Sequence, residues 1–434
     1  MTDTRVFAER RAALMAQMQN GIAIVPTAPE RVRNRDSEYP YRYDSYFYYL
    51  CGFQEPEAVL VLVAGAEPQC ILFCREKNPE RETWDGFRFG PDAAREVFGL
   101  DTAYPVGQLD EKLPALMANQ PALFYAPGLE AGWDARIMRW LNEVRAQSRT
   151  GVSAPQRIVD VRAALDEMRL IKDEQELALM RRAAAISAKA HERAMRATLP
   201  GKMEFEIEAE LQYEFRRHGA QFPAYWPIVA GGANACVLHY RDNNARLEDG
   251  ALLLIDAGCE LDGYASDITR TFPVNGKFGS AQKDVYELVL AAQAAAIAAV
   301  APGTAWDAPH EAAVRVLAQG MIDFGLCAGS LDKVLESGDY KRFYMHRTGH
   351  WLGLDVHDAG EYKLDGKWRP LATGMVLTVE PGCYIRAAEG VPRDYWNIGI
   401  RIEDDVLVTA GGCELITAAT PKSVADIEAL VGKV

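Results

Sequence analysis

Two aspartates accompany a strongly apolar run in the stretch LLLIDAGCELDGYASDITRTF, residues 252–272. Asp256 ends the apolar run, and Asp267 follows further along the same stretch. The dipeptide Asp262-Gly263 favours a tight hairpin turn, which would bring the two carboxylates nearly opposite each other on one face. Like charges at that separation are unfavourable unless one is protonated or a cation lies between them. The stretch therefore predicts either a solvated turn with two unrelated acids or half of a metal site.

Two glutamates in the last third of the chain have similar surroundings. Glu380 ends the apolar run in VLTVEPG, and Glu403 is expected within a strand formed by GIRIEDD. Acids flanked by apolar residues are rarely buried unless they are paired or bind a cation. An exposed pair between Arg401 and Glu403 on an edge strand is the alternative. With the two aspartates, these glutamates indicate a site for divalent cations.

Histidine, a common metal ligand and proton carrier, is concentrated in one segment of the chain. Three of the seven histidines, His346, His350 and His357, lie in HRTGHWLGLDVH, and His239 in VLHYRDN follows an apolar run in an expected strand at 236–241. A single histidine on an apolar face more often fills a core. The HxxxH spacing resembles the zincin motif, but the intervening RTG contains no glutamate to act as a general base.

Carboxylate oxygens with one imidazole suit Mn²⁺, and also Co²⁺ or Zn²⁺, better than soft metals. Two such ions sharing bridging carboxylates would hold a water between them and convert it to hydroxide at neutral pH. The residues therefore predict hydrolysis of an acyl or phosphoryl bond.

The bulk properties favour a cytoplasmic globular enzyme. The chain has 434 residues, which predicts two domains, and its net charge of −14 disfavours nucleic acid as a partner. Its eight cysteines include no CxxC pair, which is typical of reduced thiols in the cytoplasm. The N-terminus lacks a signal peptide, and the apolar tract at 288–301 is too short for a membrane span.

The fold class expected from the pattern of elements is α/β (α+β), with two domains at 1–172 and 173–434. The first half alternates expected strands with helices, which predicts a mixed sheet covered by helices. These strands are GIAIVPT, SYFYYLCGF, AVLVLVAG and CILFCRE. Asp173, with Glu176 three residues later, is expected to cap a long helix at the start of the second half. The segments LLLIDAG…SDITRTF and MVLTVEPG…IGIRIEDDVLV share a weakly similar pattern, which indicates a duplicated unit.

The ordered motifs IDAG…SDITRTF, H(x)3HWLGLDVHD, VLTVEPG and GIRIEDD resemble the Xaa-Pro aminopeptidase (aminopeptidase P) family of pita-bread metallopeptidases. The similarity also includes RDSEYPYR…FYYLCGFQEPEAVLVL and DAAREVFG, so it covers nearly the whole chain. It implies a C-terminal catalytic domain with a curved antiparallel sheet. It also implies an N-terminal domain that serves oligomerisation and substrate access, in a dimer or tetramer.

The resemblance implies a site with two divalent ions, most often Mn²⁺, that removes the residue preceding proline at a peptide's N-terminus. The implied metal ligands are Asp256, Asp267, His350, Glu380 and Glu403, with Asp267 and Glu403 shared by both ions. Glu380 would also pass a proton to the leaving imino nitrogen.

The other implied roles concern the substrate. His239, His357, His346 and Arg401 would assist catalysis. Asp36, Tyr225, Tyr384 and Trp84 would contact the substrate, and Trp84 would come from a neighbouring subunit. Arg347 and the pair Trp226-Pro227 depart from the family pattern near the substrate, which leaves the preferred peptide open.

Two other readings share much of this pattern. Prolidase, which cuts only Xaa-Pro dipeptides, has the same five ligands. The second alternative is a metal-free relative such as creatinase, or a binding module on the same fold. Such proteins have lost metal-ligand residues, whereas all five ligand positions carry ligand residues here.

Overall fold

The structure is a computed structural model that describes residues 4–433. The chain divides into two compact units, Met1–Met168 and Arg169–Val434. The boundary expected at 172/173 falls between the seventh and eighth helices, whereas the units divide inside the seventh. Within residues 4–433, no helix is both long and apolar enough to cross a membrane.

The N-terminal unit contains a mixed sheet with flanking helices. Its helices are α1 (Arg5–Met18), α2 (Ser45–Cys51), α3 (Pro79–Asp85), α4 (Gly90–Phe98), α5 (Leu109–Met117) and α6 (Ala131–Arg145), and α7 (Arg162–Leu170) begins in this unit. Its strands are β1 (Gly21–Pro26), β2 (Val32–Asn34), β3 (Ser37–Glu38), β4 (Val59–Ala64), β5 (Gln69–Cys74), β6 (Thr102–Pro105), β7 (Ala122–Tyr125) and β8 (Arg157–Asp160).

Six of these strands form one sheet in the order β6-β5-β4-β1-β7-β8. Strand β4 runs antiparallel to β1 and β5, while the pairs β1/β7, β7/β8 and β5/β6 are parallel. Residues buried on β1, β4, β5 and β7 pack against apolar side chains of α5 and α6 to form the core. The predicted mixed sheet with covering helices is confirmed.

The strand expected in SYFYYLCGF is wrong, because residues 45–51 form helix α2. The Asp44 side chain accepts a hydrogen bond from the Phe47 backbone N–H at one end, and Gly52 adopts a left-handed conformation with φ 67° at the other. These two caps satisfy the ends of a helix only two turns long. Capping therefore outweighs the strand preference of an aromatic-rich segment.

The C-terminal unit begins with long helices and ends in strands. Its helices are α8 (Glu174–Ala197), α9 (Glu204–Arg217), α10 (Ser280–Ala298), α11 (Ala308–Asp323), α12 (Leu331–Ser337) and α13 (Val424–Leu430). Its strands are β9 (Phe222–Pro223), β10 (Ile228–Gly231), β11 (Leu252–Asp256), β12 (Cys259–Leu261), β13 (Tyr264–Ala265), β14 (Thr269–Pro273), β15 (Lys363–Leu364), β16 (Lys367–Trp368), β17 (Val376–Val379), β18 (Gly382–Ile385), β19 (Ile398–Arg401), β20 (Asp404–Thr409) and β21 (Gly412–Leu415). The capping box predicted at Asp173 and Glu176 begins α8.

Two similar halves make up this unit. Helices α8 and α9 pack together and precede the antiparallel sheet β10-β11-β14, while α10 and α11 pack together and precede the antiparallel sheet β17-β20-β21. One hydrophobic core joins them, with side chains from all four helices and both sheets. The expected duplication is therefore visible in the order of the elements.

Candidate metal centre

The four candidate carboxylates lie at corresponding strand ends in the two halves. Asp256 is the last residue of β11, and Asp267 comes just before β14. Glu380 directly follows β17, and Glu403 directly precedes β20. The backbone N–H of Glu403 donates to the Thr269 carbonyl at 3.1 Å, so the two halves are linked at the point where the acids meet.

The hairpin that carries the two aspartates differs in detail from the prediction. Asp256 pairs with Thr269 rather than facing Asp267 directly. The predicted turn is confirmed, since Asp262 and Gly263 have φ angles of 49° and 86° and close β12 on β13. Below the turn the backbones cross closely at Gly258, where a Cβ would lie 1.7 Å from the Ser266 carbonyl oxygen.

Tyr225 connects the two aspartates. Its hydroxyl lies 2.5 Å from Asp256 Oδ1 and also contacts Asp267 Oδ1. Two carboxylates therefore converge on one phenol oxygen, which shows that the hairpin does bring both acids onto one face.

His350 is oriented by its own loop. Its Nδ1–H donates to the Trp351 carbonyl at 2.9 Å, so the other nitrogen, Nε2, is left as a ligand atom. That nitrogen lies 3.4 Å from Asp267 Oδ2 and 3.9 Å from Glu380 Oε1. Asp267, His350 and Glu403 each present a ligand atom within 4.8 Å of the others.

Arg401 and Thr269 form hydrogen bonds that hold the carboxylates in place. Arg401 Nη2 donates to Asp256 Oδ2 at 2.5 Å, and its Nε donates to Thr269 Oγ1 at 3.1 Å. The Thr269 hydroxyl in turn donates to Glu403 Oε2 at 2.7 Å. Arg401 therefore does not form the surface pair with Glu403 that was the alternative reading, because its guanidinium is buried and faces Asp256.

Burial and mutual repulsion make the charged forms of these acids unfavourable. Burial, with the charge of Asp256, raises the pKa of Asp267 well above its usual value. Burial, with the charge of Asp267, does the same to the pKa of Glu403, and burial with Glu403 raises the pKa of Glu380 to about 8. A divalent cation among the oxygens would offset this repulsion. Five side chains with oxygen and imidazole donors therefore fit divalent metal ions.

The candidate histidines lie beside the acids. His346 Nδ1–H donates to the Arg347 carbonyl at 2.7 Å, so its Nε2 accepts from the Tyr384 hydroxyl at 2.8 Å. Burial and the charge of Arg401 lower the pKa of His346 to about 4, which keeps its ring neutral. The His357 ring centroid is 4.4 Å from that of His350, and burial and His350 lower its pKa.

The segment that contains His239 was predicted incorrectly. The expected strand at 236–241 is absent, because residues 232–236 form a 3-10 helix and His239 lies in the turn that follows. Its side chain still lines the same cavity as the acids.

A cavity of about 520 Å³ contains all the predicted site residues of the C-terminal unit except Tyr384. Trp226, Arg241, Arg347 and Val356 also line it. Tyr384 lies behind it, where its hydroxyl accepts from Arg401 Nη1 at 3.1 Å. Asp36 and Trp84 lie on the surface of the N-terminal unit, and the Trp84 side chain is 82% exposed.

Sequence reasoning missed two polar residues of this site. Thr269 was not considered, although it links Arg401 to Glu403. Asp405 is buried, and its Oδ2 accepts from the Asp267 backbone N–H at 3.1 Å. Burial and the charge of Asp267 raise its pKa well above the usual value. The acidic run in IEDD was the available signal for Asp405. The residue types alone do not show which of these acids lines the cavity.

Known proteins resemble this chain in sequence and in fold. The model of metallopeptidase family M24 matches residues 178–410, and that of the aminopeptidase P N-terminal domain matches residues 7–125. The Xaa-Pro aminopeptidase of Haemophilus influenzae is 46% identical over 427 residues, which are 98% of this chain and 96% of that protein.

Solved structures show the same fold. The aminopeptidase PepP of Pseudomonas aeruginosa matches with a TM-score of 0.97 and 52% identity, over 99% of this chain and 98% of that one. A zinc-substituted Escherichia coli aminopeptidase P in complex with product matches with a TM-score of 0.96 and 44% identity, over the same shares of the two chains. The fold and the cluster of ligands define a metal-dependent peptidase. The chain belongs to metallopeptidase family M24, with an aminopeptidase P N-terminal domain. The predicted fold class and family are thus confirmed.

Proposed function

We propose that this protein is a metallo-aminopeptidase that removes the N-terminal residue from peptides with proline in the second position. The observation that carries the proposal is the convergence of four carboxylates and His350 in one cavity, on a fold whose relatives are Xaa-Pro aminopeptidases. The substrate is a peptide with a free N-terminus.

Five residues would hold two divalent ions: Asp256, Asp267, His350, Glu380 and Glu403. Bound ions of this kind supply an activated water and polarise the scissile carbonyl. The short approaches among Asp267, His350 and Glu403 support this ligand set, as does the raised pKa of the acids. Asp267 and Glu403, the two most central acids, are proposed to serve both ions.

The chain's own side chains complete the chemistry. Glu380 would accept the proton of the attacking water and deliver it to the imino nitrogen of proline, since its carboxylate lines the same cavity as the other candidate ligands. His357 and His239 line the cavity and would donate to the substrate carbonyl or bound peptide. His346, whose ring nitrogens bond to Arg347 and Tyr384, would line the pocket for proline. Arg401 holds Asp256 and the Tyr384–His346 pair in place.

We propose Mn²⁺ as the native ion, because oxygen-rich sites with one imidazole favour it. Co²⁺ and Zn²⁺ fit the same donors. Equilibrium dialysis against each ion, followed by metal analysis and a rate measurement, distinguishes them.

We also propose a cytoplasmic homo-oligomer, a dimer or tetramer. All eight cysteines are free thiols, and six of them are buried, which supports a reducing compartment. Trp84 and Phe87 are 82% and 66% exposed, which supports a surface that another subunit would cover. In that assembly Trp84, and also Asp36, would contact the substrate. Sedimentation of wild-type protein and Trp84→Ala tests the subunit contact.

The substrate test compares three peptides under one condition. Protein loaded with Mn²⁺ should cut Ala-Pro-Ala to alanine and Pro-Ala, and should leave Ala-Ala-Ala intact. Cleavage of the dipeptide Ala-Pro alone would instead assign prolidase activity. Glu380→Gln, which removes both a ligand and the proton carrier, should lose cleavage while keeping the fold.

A further inference from the structure

Two exposed arginines line the cavity. Arg241 and Arg347 are exposed, and neither forms an ion pair with an acid in the part of the chain that the structure describes. The Arg347 guanidinium lies over the Trp368 ring, 4.9 Å from its centroid. In contrast, Arg401, the third arginine of the cavity, is buried and bound to Asp256.

The distribution of charge gives the cavity two chemically different ends. The four acids are buried or nearly so, while Arg241 and Arg347 are exposed at the rim. If the proposed function is correct, two divalent ions offset the four carboxylates. The two rim arginines then remain as unmatched positive charges in a protein whose net charge is −14.

A short peptide has a matching polarity. Its amino group and its first peptide bond must both lie at the cluster of acids, because that bond is the one cut. The rest of the peptide must therefore extend toward the open rim, where the arginines lie. A cavity of about 520 Å³ has the size of a site for a small ligand, which suits a peptide as short as a tripeptide.

We propose that Arg241 and Arg347 determine specificity by binding a carboxylate on the residue that follows proline. This inference rests on the proposed function and narrows its substrate class. The preferred substrates are Xaa-Pro-Yaa tripeptides with a free C-terminus, or longer peptides in which Yaa is acidic. Arginine suits this role because its planar guanidinium binds carboxylates through two parallel hydrogen bonds.

The kinetic test uses two matched pairs of substrates. The first pair is Ala-Pro-Ala and its C-terminal amide, which tests the terminal carboxylate. The second is Ala-Pro-Glu amide and Ala-Pro-Gln amide, which tests an acidic side chain. We expect wild-type protein to favour the charged member of at least one pair by roughly 5- to 20-fold in kcat/KM, mainly through KM.

Two matched double variants distinguish an effect of the rim arginines from an effect of the protein's overall charge. Arg241→Gln/Arg347→Gln should lower that preference to near one. Arg182→Gln/Arg315→Gln removes two exposed arginines of helices α8 and α11 that do not line the cavity, and should keep the wild-type preference. The wild-type preference should also fall as salt is raised, because exposed charges are screened.

A binding measurement supplies a readout besides cleavage. Calorimetric titration of the metal-loaded protein with the product Pro-Ala and with its amide should show tighter binding of Pro-Ala, and the rim variant should lose that difference. Equal preferences in wild type and rim variant, by kinetics and by calorimetry, would overturn the inference. Failure to cut any of the peptides would instead overturn the proposed function, and calorimetry would still decide the role of the arginines.

Discussion

At the scale of the residue, the site is defined by acids whose charged forms need a cation. Asp267, Glu403 and Glu380 are crowded at one point, and their surroundings raise all three pKa values. The same crowding that is unfavourable in the metal-free protein becomes a binding energy for divalent ions. Proton release and metal binding are therefore coupled in this protein.

The coupling predicts that metal binding releases protons at pH 7. With a pKa of about 8, Glu380 is mostly protonated there in the metal-free protein, and burial and mutual repulsion also raise the pKa values of Asp267 and Glu403. Ligation requires the deprotonated forms, so at least one proton should leave. Calorimetric titration with Mn²⁺ in buffers of different ionisation enthalpy measures this number. A heat of binding that does not depend on the buffer would contradict it.

The hydroxyl of Thr269 is expected to hold the candidate metal ligands in place through its hydrogen bonds. Thr269→Val removes the hydroxyl that accepts from Arg401 and donates to Glu403, without changing the shape of the side chain. Loss of such a supporting hydrogen bond should lower metal affinity or kcat by about 10- to 100-fold. Thr269→Ser restores the hydroxyl and should recover most of the loss. Equal affinities and rates in wild type and Thr269→Val would show that the ligands need no such support.

At the scale of the element, strand ends position the candidate ligands, and the close crossing at Gly258 sets where Asp256 and Asp267 meet. In Gly258→Ala the new Cβ would lie 1.7 Å from the Ser266 carbonyl oxygen, so the backbones must separate. We expect a loss of about 1–3 kcal/mol of stability and a weaker metal site. Thermal unfolding and metal titration measure both effects.

The control for that substitution is Gly132→Ala. Gly132 lies in helix α6, and apart from its chain neighbours and the backbone of its own helix a Cβ there would meet no atom within 4 Å. Alanine should therefore leave stability unchanged or raise it by about 0.5–1 kcal/mol. If Gly258→Ala behaved like this control, the crossing would not be what positions the aspartates.

The loop that carries His357 is attached through a buried ion cluster. Asp358 Oδ1 accepts from Arg169 at 2.5 Å, and its Oδ2 accepts from Lys172 at 2.8 Å. Burial raises the pKa of Asp358, but the charges of Lys172 and Arg169 outweigh burial and lower the pKa below its usual value. Asp358→Asn should therefore cost about 3–5 kcal/mol, since it removes the carboxylate that Lys172 contacts and leaves Arg169 paired with Asp355.

The pH dependence of that loss follows from the direction of the shift. A lowered folded-state pKa stabilises the protein above the unfolded value, near 3.9, and the stabilisation disappears as pH falls through the folded pKa. Urea unfolding of metal-free wild type and Asp358→Asn should differ most at pH 6–7, and the difference should shrink below about pH 4. A difference that grows on acidification would show that this cluster does not stabilise the fold.

How much the sequence alone predicts depends on the element. Apolar strands that end in acids were recognisable at β11 and β17, because a buried run followed by a carboxylate is uncommon without a partner. Helix α2 and the turn at His239 were not recognisable from the sequence, because aromatic and apolar runs resemble strands until caps and tertiary contacts are known. The register between Asp256 and Thr269 also depends on the crossing at Gly258, which residue types do not reveal.

At the scale of the whole molecule, the site joins two similar halves of one unit. Each half contributes a pair of strands with an acid on each strand end, and His350 comes from a loop of the second half. Residues more than a hundred positions apart therefore meet in one cavity. Spacing alone could indicate the chemistry of these residues, but only the fold shows that they converge.

We propose that these acids hold two ions that enable cleavage before proline. The most direct test strips the metal and titrates Mn²⁺ back into wild type and Asp267→Ala, while measuring bound metal and release of alanine from Ala-Pro-Ala. We expect no cleavage without metal, two ions bound and full cleavage in wild type, and loss of both an ion and activity in the variant. Cleavage by metal-free protein, or unchanged activity in Asp267→Ala, would contradict it.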